Sequence, residues 1–198
     1  IHNSGSLTLE NSKLASNEGS GGGSIFNQGD LILTNSTITG NIGGKSGEGS
    51  AGGGTSNYAS LIVDKSTINN NMSNGGGGGI CNFFLATITN TTISNNTEVF
   101  SFGRGGGIYN FGLLHVSNST ITGNHSFGTG GGIGLSSQVF VKSTIIAGNT
   151  NSGDGSPECD SRLTSQGHNL LGVGTGCLGL TDGVNGDIVG ADVNLVLN

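Results

Sequence analysis

Two carboxylates at one repeating position are the first residues in this chain whose spacing suggests chemistry. Glu10 closes the segment SLTLE and Asp64 closes SLIVD, with DLILT ending on Thr34 between them. If the three segments stack as neighbouring strands, the carboxylates stand roughly 9.6 Å apart. That is near the upper end of the separation used by an inverting glycosidase. No further charge or cleft-forming bulk is predicted beside them, and solvated surface charge is the competing reading. A second group falls in linkers of variable length: Lys45, Glu48, Glu98, Phe100, Phe102, Arg104, His125 and Phe127. Phe100, Phe102, Arg104, His125 and Phe127 are the candidate binding residues. Aromatic faces beside a few charges can grip a sugar or a protein partner, and loops gathered on one face of a repeat protein often form its binding face. The alternative is that these phenylalanines fold back and shield a Gly-rich corner.

Other residue types carry weaker signals. Thr37, Thr67, Thr92, Thr120 and Thr144 read as an outward column, flanked by Thr39, Asn69, Ser94, Thr122 and Ile146. Such a Thr-x-Thr grid resembles an ice-binding surface, although Thr also pairs well across strands for ordinary reasons. Cys81 shares an outward column with Phe26, Ser56 and Tyr109; with no base beside it, it reads as a packed thiol rather than a nucleophile. DGVNGD at 182–187 is similar to a calcium loop but lacks the full ligand set. No cofactor is expected otherwise, and no metal site. Glycosylation sequons begin at Asn35, Asn71, Asn90, Asn95, Asn118 and Asn124, and the same NST letters are also the structural motif of the repeat. Cys159 and Cys177 are expected to form a disulfide that staples the C-terminal part, contributing about 3 kcal/mol and implying an oxidising, extracytoplasmic compartment. Three reduced thiols are the alternative.

The composition narrows the partners. Gly is 41 of 198 residues and Pro only 1, without a G-X-Y period, which excludes collagen. Alternating Ile, Leu, Val and Thr between the Gly clusters argues against disorder. The net charge is −6 with 6 basic residues and no basic patch, so nucleic acid is not an expected partner. No apolar run reaches transmembrane length.

The elements that must position these residues are repeats. GGGIYNFGLLHVSNSTITGN at 105–124 has counterparts built around GGSIFN, GGGTSN, GGGICN and GGGIGL, each followed by an STI-like segment ending in Asn at 41, 71, 96, 124 and 149. The variation in length sits between that Asn and the next Gly cluster, which places variable loops at one corner of a coil. Within a coil three strands are predicted. Leu7/Leu9, Leu31/Leu33, Leu61/Val63, Ala86/Ile88, Leu114/Val116 and Val139/Val141 point inward by strand alternation. Ile38, Ile68, Ile93, Ile121 and Ile145 form a second inner column, and Ile25, Ile80, Ile108 and Ile133 a third. Asn27, Asn57, Asn82 and Asn110 at one corner, and Asn41, Asn71, Asn96, Asn124 and Asn149 at another, are expected to tolerate left-handed bends and to bond from coil to coil as ladders. No 3.6-residue period runs for two turns, so helices are excluded. After Asn149 the repeat degrades. Residues 169–171 read as one more inner strand, and 187–189 with 194–197 as a further coil cut short. The opening in mid-repeat and the predicted bare strand edges lead to the expectation of a longer or self-assembling chain.

The GGGI motifs at 77–80, 105–108 and 130–133, with IFN, ICN and IYN at the matching places, resemble the repeats of polymorphic outer-membrane proteins. These form a bacterial surface branch of the pectate-lyase-like right-handed parallel β-helix superfamily. STIIAGN at 143–149, Cys159, SQGHNLLG at 165–172 and Cys177 are similar to the C-terminal signature of that branch. The resemblance implies the fold and its handedness. It brings no catalytic residue, because no cluster of Asp, Lys, Arg or His matches those of the lyase members. The expected class is therefore all-β: one domain over 1–198, a single-stranded right-handed parallel β-helix (β-solenoid) with three short strands per coil and about six to eight coils. Coils are regular over 1–149 and irregular over 150–198. The expected function is non-enzymatic and extracellular or at the cell surface: an adhesin stalk or a self-associating filament subunit, with self-association or a surface glycan as partner. A carbohydrate-active enzyme or a binding module for acidic polysaccharide is the alternative, and ice binding a minor one.

Overall fold

Each repeat makes one turn about a common axis and lies in register on the turn before it. In the computed structural model, which describes residues 1–44 and 51–190, the strands pair parallel throughout and collect into four sheets of six, seven, eight and six strands. The result is a β-solenoid of about seven turns, with no helix among the described residues, matching a right-handed parallel β-helix. The first wall begins with His2–Asn3 and Ile25–Asn27, the second with Ser6–Glu10 and Asp30–Thr34, and the third with Lys13–Ala15 and Thr37–Thr39.

A fourth wall corrects the expectation of three strands per coil. Glu18–Gly19, Ile42–Gly43, Met72–Ser73, Thr97–Glu98, His125–Ser126 and Thr150–Asn151 pair side by side directly after the ladder Asn. Two residues are too few to show a period of two, so the sequence alone does not separate these strands from the variable linkers that follow. The loops proper follow them. Lys45, Glu48 and segment 194–197 lie outside the described residues.

The interior is a set of stacked apolar columns. Leu31, Leu61, Ala86, Leu114 and Val139 pair in register, as do Leu33, Val63, Ile88, Val116 and Val141. All ten are buried. In the third wall Ile38, Ile68, Ile93 and Ile121 lie over one another as expected, but the next rung is Ile146, not Ile145. The reason is chain length. Six residues separate the left-handed corner from the ladder Asn in every coil (35 to 41, 118 to 124, 143 to 149), and counting from Ser143 puts Ile146 inside. Thr144 consequently leaves the proposed outward Thr column. It is fully buried, Ile145 takes its place on the outside, and Ala147 rather than Ile146 flanks it. The surface grid therefore has four Thr rungs, Thr37, Thr67, Thr92 and Thr120, and then turns apolar at Ile145 and Leu170.

Both Asn ladders form. Asn3 donates from Nδ2 to Asn27 Oδ1, and the relay continues through Asn57 and Asn82 to Asn110 at 2.7–2.8 Å. At the other corner Asn17, Asn41, Asn71, Asn96, Asn124 and Asn149 do the same at 2.9 Å, and each Oδ1 also accepts the backbone N–H of the Asn in the preceding coil. Each ladder Asn from Asn41 on also donates to a backbone carbonyl of an earlier coil, as Asn96 does to Ile68. The left-handed backbone belongs elsewhere. It falls on the residue just before this ladder (Asn70, Asn95, Gly123) and on the corner between second and third walls (Asn11, Asn35, Lys65, Asn90, Asn118, Ser143, His168). The ladder amides thus supply hydrogen bonds, while their neighbours supply the bends. The Gly clusters mark close approach more than positive φ: a Cβ on Gly78 would lie 2.2 Å from the carbonyl oxygen of Gly106.

This wrapping corrects a further expectation. Ser56 and Cys81, placed on the outside of the first wall by alternation, are fully buried. The Gly segment leading into each strand folds across that outer face: the Gly52 N–H donates to Ser56 Oγ at 2.7 Å, and Ser56 Oγ donates to the Gly21 carbonyl. Burial pushes the Cys81 thiol up to about 12, only partly opposed by a hydrogen bond from the Gly77 backbone. It is an inert packing group.

Beyond Asn149 the chain makes an excursion before resuming. Segment 157–160 lies along Ile133 as a substitute strand of the first wall, with the Ile133 N–H donating to Glu158 O at 3.0 Å. Cys159 thereby tops the Ile108–Ile133 column and is joined to Cys177 by a disulfide, the expected staple.

Candidate functional site

The loop corner is built on the fourth wall. Strand Thr97–Glu98 is flanked by Met72–Ser73 and His125–Ser126, so the Glu98 side chain points inward between Ser73 and Ser126. It is fully buried. Its Oε1 accepts the Phe100 N–H at 2.5 Å and its Oε2 accepts Ser126 Oγ at 3.1 Å. The loop after it closes down on this carboxyl: a Cβ on Gly103 would overlap it, and Gly103 N–H donates to Phe100 O at 2.7 Å. Burial raises the Glu98 pKa from its ordinary value, opposed by hydrogen bonds from Phe100 and Ser126. Glu98 is therefore an internal anchor for the loop, not one of its exposed charges.

That anchor turns the aromatic residues outward. Phe102 is 87% exposed, Phe100 49% and Phe127 46%, so the phenylalanines do not shield the Gly-rich corner. Phe100 and Phe102 meet edge to face at 6.0 Å on one coil, and His125 and Phe127 at 5.2 Å on the next. Arg104 sits 3.5 Å (Nε) from Asp160 Oδ2, which also accepts Thr129 Oγ1 at 2.7 Å. Between the stacked loops runs an open groove of about 430 Å³ lined by Phe102, Arg104, Thr129 and Asp154. The five candidate binding residues thus occupy adjacent coils of one corner.

One arrangement in this corner has the outline of a nucleophile and base. His125 Nε2 is 3.3 Å from Ser152 Oγ, and His125 Nδ1 is 2.8 Å from Thr150 Oγ1. The third member is a neutral hydroxyl, which cannot stabilise an imidazolium as a carboxylate does. The N–H groups of Ser152 and Gly153, the nearest source of an oxyanion cradle, already donate to Ser126 O and Gly128 O. The geometry is that of a surface hydrogen-bond chain.

The paired carboxylates are placed as read. Glu10, Thr34 and Asp64 are consecutive rungs of the second wall. Asp64 Oδ1 accepts Thr89 Oγ1 at 2.9 Å and Asn90 Nδ2 at 2.8 Å, and these hydrogen bonds hold its pKa below the ordinary value. It is tied to the next rung as a structural acceptor. In the 182–187 segment Asp182 accepts the Val189 N–H and Asp187 is buried, accepting Ser165 Oγ and the Asn169 amide. The sequons divide: Asn71 and Asn124 are buried in the ladder, whereas Asn35, Asn90, Asn95 and Asn118 stand exposed at left-handed corners.

Two features escaped the sequence reading. Phe26, Tyr58, Phe83 and Phe111 form a run of rings with centroids 4.2–5.1 Å apart, closed by Tyr109 against Phe111. Tyr58, Phe83 and Phe111 each follow a ladder Asn, which was the available signal. Tyr58, Phe83 and Phe111 stack on one another, while Phe26 and Tyr109 lean against them at 50°, and Tyr58 remains 43% exposed. Phe84 is more open still, 62% exposed where the other coils carry Gly5, Gly29, Ala59 and Gly112. The second feature is a hydroxyl ladder: Ser36, Ser66, Thr91 and Ser119 each accept the N–H of the corresponding residue one coil earlier.

Fold and corner together define the molecule as a parallel β-solenoid with an aromatic loop face. Comparison with protein-family models, curated proteins and solved structures returns no match for this chain. No helix among the described residues is long and apolar enough to cross a membrane, and the disulfide fits an oxidising compartment.

Proposed function

We propose that this chain is a non-enzymatic, extracellular scaffold, an adhesive β-helix that presents the corner of Phe100, Phe102, Arg104, His125 and Phe127 to a surface glycan. The observation that carries this reading is the division of labour among polar side chains. Glu98, Glu158 and Asp187 are buried and spent on backbone and ladder hydrogen bonds, and Asp64 is tied to Thr89 and Asn90, while the aromatic rings of the corner are held outward by Glu98. The likeness of the GGGI and STIIAGN segments to bacterial surface repeats favours the same class. Among the structural options, an adhesive stalk is preferred to a filament made by stacking coil on coil, because two of the polar ladders end on buried acidic side chains, Glu158 and Asp187, that accept from the last amide instead of presenting another amide to a following coil.

The test is a glycan array probed with the intact chain and with Phe102→Ser and Phe127→Ser variants, alongside an assay of acidic-polysaccharide cleavage with and without calcium. Retained fold with binding lost in both variants supports the adhesive corner. Turnover of any polymer by the wild-type chain overturns the non-enzymatic reading, and binding that survives both substitutions removes the corner from it.

A further inference from the structure

The outer face of the seven-stranded second wall is polarised and not used by the loop corner. Its outward residues fall in three rows along the solenoid. The middle row runs Thr8, Ile32, Ile62, Thr87, His115, Phe140, and the third row Glu10, Thr34, Asp64, Thr89, Ser117, Lys142. Ile32 and Ile62 are 37% and 41% exposed although they sit in a regular sheet. The acidic groups Glu10, Asp30 and Asp64 lie on the first three coils, and Lys142 and His115 on the later ones. The two halves also differ in relief. The acidic half carries a groove of about 320 Å³ lined by Ser6, Thr8, Asp30, Ile32, Ser60 and Ile62. The other half carries the His115 and Phe140 rings, stacked at 4.9 Å with 9° between planes.

We infer that two copies of this chain pair face to face through the second wall, about a two-fold axis parallel to its strands and midway between the rungs Ser60–Asp64 and Leu85–Thr89. That axis keeps each position along the strand and reverses the order of coils. Glu10 of each copy then faces the partner's Lys142, and the rungs bearing Ile32 face those bearing His115. The His115 and Phe140 pair enters the groove beside Asp30. The other in-plane axis, along the solenoid, sets Lys142 over Gln138 and joins no opposite charges. The occupant is a second copy because the face is self-complementary in both charge and shape, as an isologous interface requires. The six rungs that face one another about this axis, about 4.8 Å apart and nearly all five residues long, give a footprint of about 500 Å² per copy. Roughly 1,000 Å² in total is at the lower bound for a specific interface, so the dimer is weak and concentration-dependent.

Sedimentation velocity over a concentration series tests this on the intact chain. The expected result is a reversible monomer–dimer equilibrium. Ile62→Lys and Lys142→Glu should each weaken it by about tenfold or more, and adding Glu10→Lys to Lys142→Glu should restore it. Ile62, Lys142 and Glu10 all lie on the outer face, and an unchanged unfolding midpoint verifies that each variant folds. A wild-type chain that stays monomeric throughout overturns the proposal. So does a dimer indifferent to Ile62→Lys, or a charge swap that fails to recover what Lys142→Glu loses. Each outcome leaves the glycan-binding corner to its own assay.

Discussion

The coils up to Asn149 and the segment from 150 to 190 meet the same requirement in opposite ways. In the regular coils an Asn both donates and accepts, so each rung satisfies the one before it and depends on the one after it. That relay has no natural end. Its polarity is fixed, with the amide of each coil donating to the next, so the final Asn needs an acceptor that requires no onward partner. A carboxylate meets that need. Glu158 accepts Asn149 Nδ2 at 2.6 Å and the N–H groups of Asn149 and Gly148. Asp187 accepts both Nδ2 and N–H of Asn169, itself the acceptor for Thr144. Even the packing is inverted there. Regular coils set a Gly against the ladder Asn, as Gly132 against Asn149, whereas the last coil sets Glu158 against Gly172. Repetition and termination thus have different hydrogen-bond chemistries, and the irregular segment supplies the second.

The comparison breaks most sharply if ladder position does not matter. Asn96→Ala strips Asn71 of the acceptor for its N–H and of one acceptor for its Nδ2, and removes the amide donor to Ile68 O, all in a fully buried site. Each orphaned group costs about 1–3 kcal/mol, so a loss of about 3 kcal/mol or more is expected by denaturant unfolding. Asn17→Ala, at the exposed first rung, leaves Asn41 Oδ1 still bonded to the residue-17 N–H and should cost under about 1 kcal/mol. Equal losses would refute a directional relay.

Next in size is the staple. Replacing Cys159 and Cys177 together by Ser releases a loop of 18 residues and should cost about 3 kcal/mol. Hydrogen exchange should show the loss between 150 and 190, with protection kept at Ile68, Ile93 and Ile121. Loss spread evenly over the chain would mean that the irregular segment is not a separate unit of stability.

How far the letters carried the structure follows from the same contrast. Wherever one residue type recurs at one position, as with Ile38, Ile68 and Ile93 or the ladder Asn, columns and corners could be read directly. The slip at Thr144 arose where KSTIIAGN offers two adjacent Ile residues: matching the letters STI misplaced the rung, whereas counting back six residues from Asn149 would have placed it. Burial of Ser56 and Cys81 was hidden because alternation describes a strand and says nothing of the Gly segment that crosses over it. The candidate corner was visible as a cluster of loop aromatics, but the role of Glu98 was not. An acidic residue before a loop looks solvated until the strand that inverts it is known.

The buried carboxyls also give the two regions a common pH signature. Burial raises the pKa of both Glu98 and Glu158, opposed at Glu158 by the Asn149 hydrogen bonds. A carboxyl whose folded pKa exceeds its unfolded value holds its proton longer in the folded chain. Its favourable contribution is complete below the unfolded value and is lost as pH rises through the raised folded value. Unfolding free energy should therefore fall on going from the ordinary carboxyl range towards neutrality. Glu98→Gln and Glu158→Gln should each flatten part of that slope. Glu158→Gln should flatten it at a price in stability, because an amide brings N–H donors into a site that offers Glu158 only donors. A flat profile in the wild-type chain would mean that burial does not raise the folded pKa of either carboxyl.

The smallest effect concerns a rung that departs from its own column. Thr55 stands between Ile25 and Ile80 in the first wall, fully buried, and among the described residues its Oγ1 has no hydrogen-bond partner. Thr55→Val keeps the shape and replaces the buried hydroxyl by a methyl group, so a gain of about 1 kcal/mol is expected in denaturant unfolding. The same replacement at Thr144, whose Oγ1 donates to Lys142 O at 2.8 Å, should be destabilising. Opposite signs at two fully buried threonines would show that hydrogen-bond satisfaction, not residue type, governs this interior. A loss at both would mean that Thr55 Oγ1 has a partner after all.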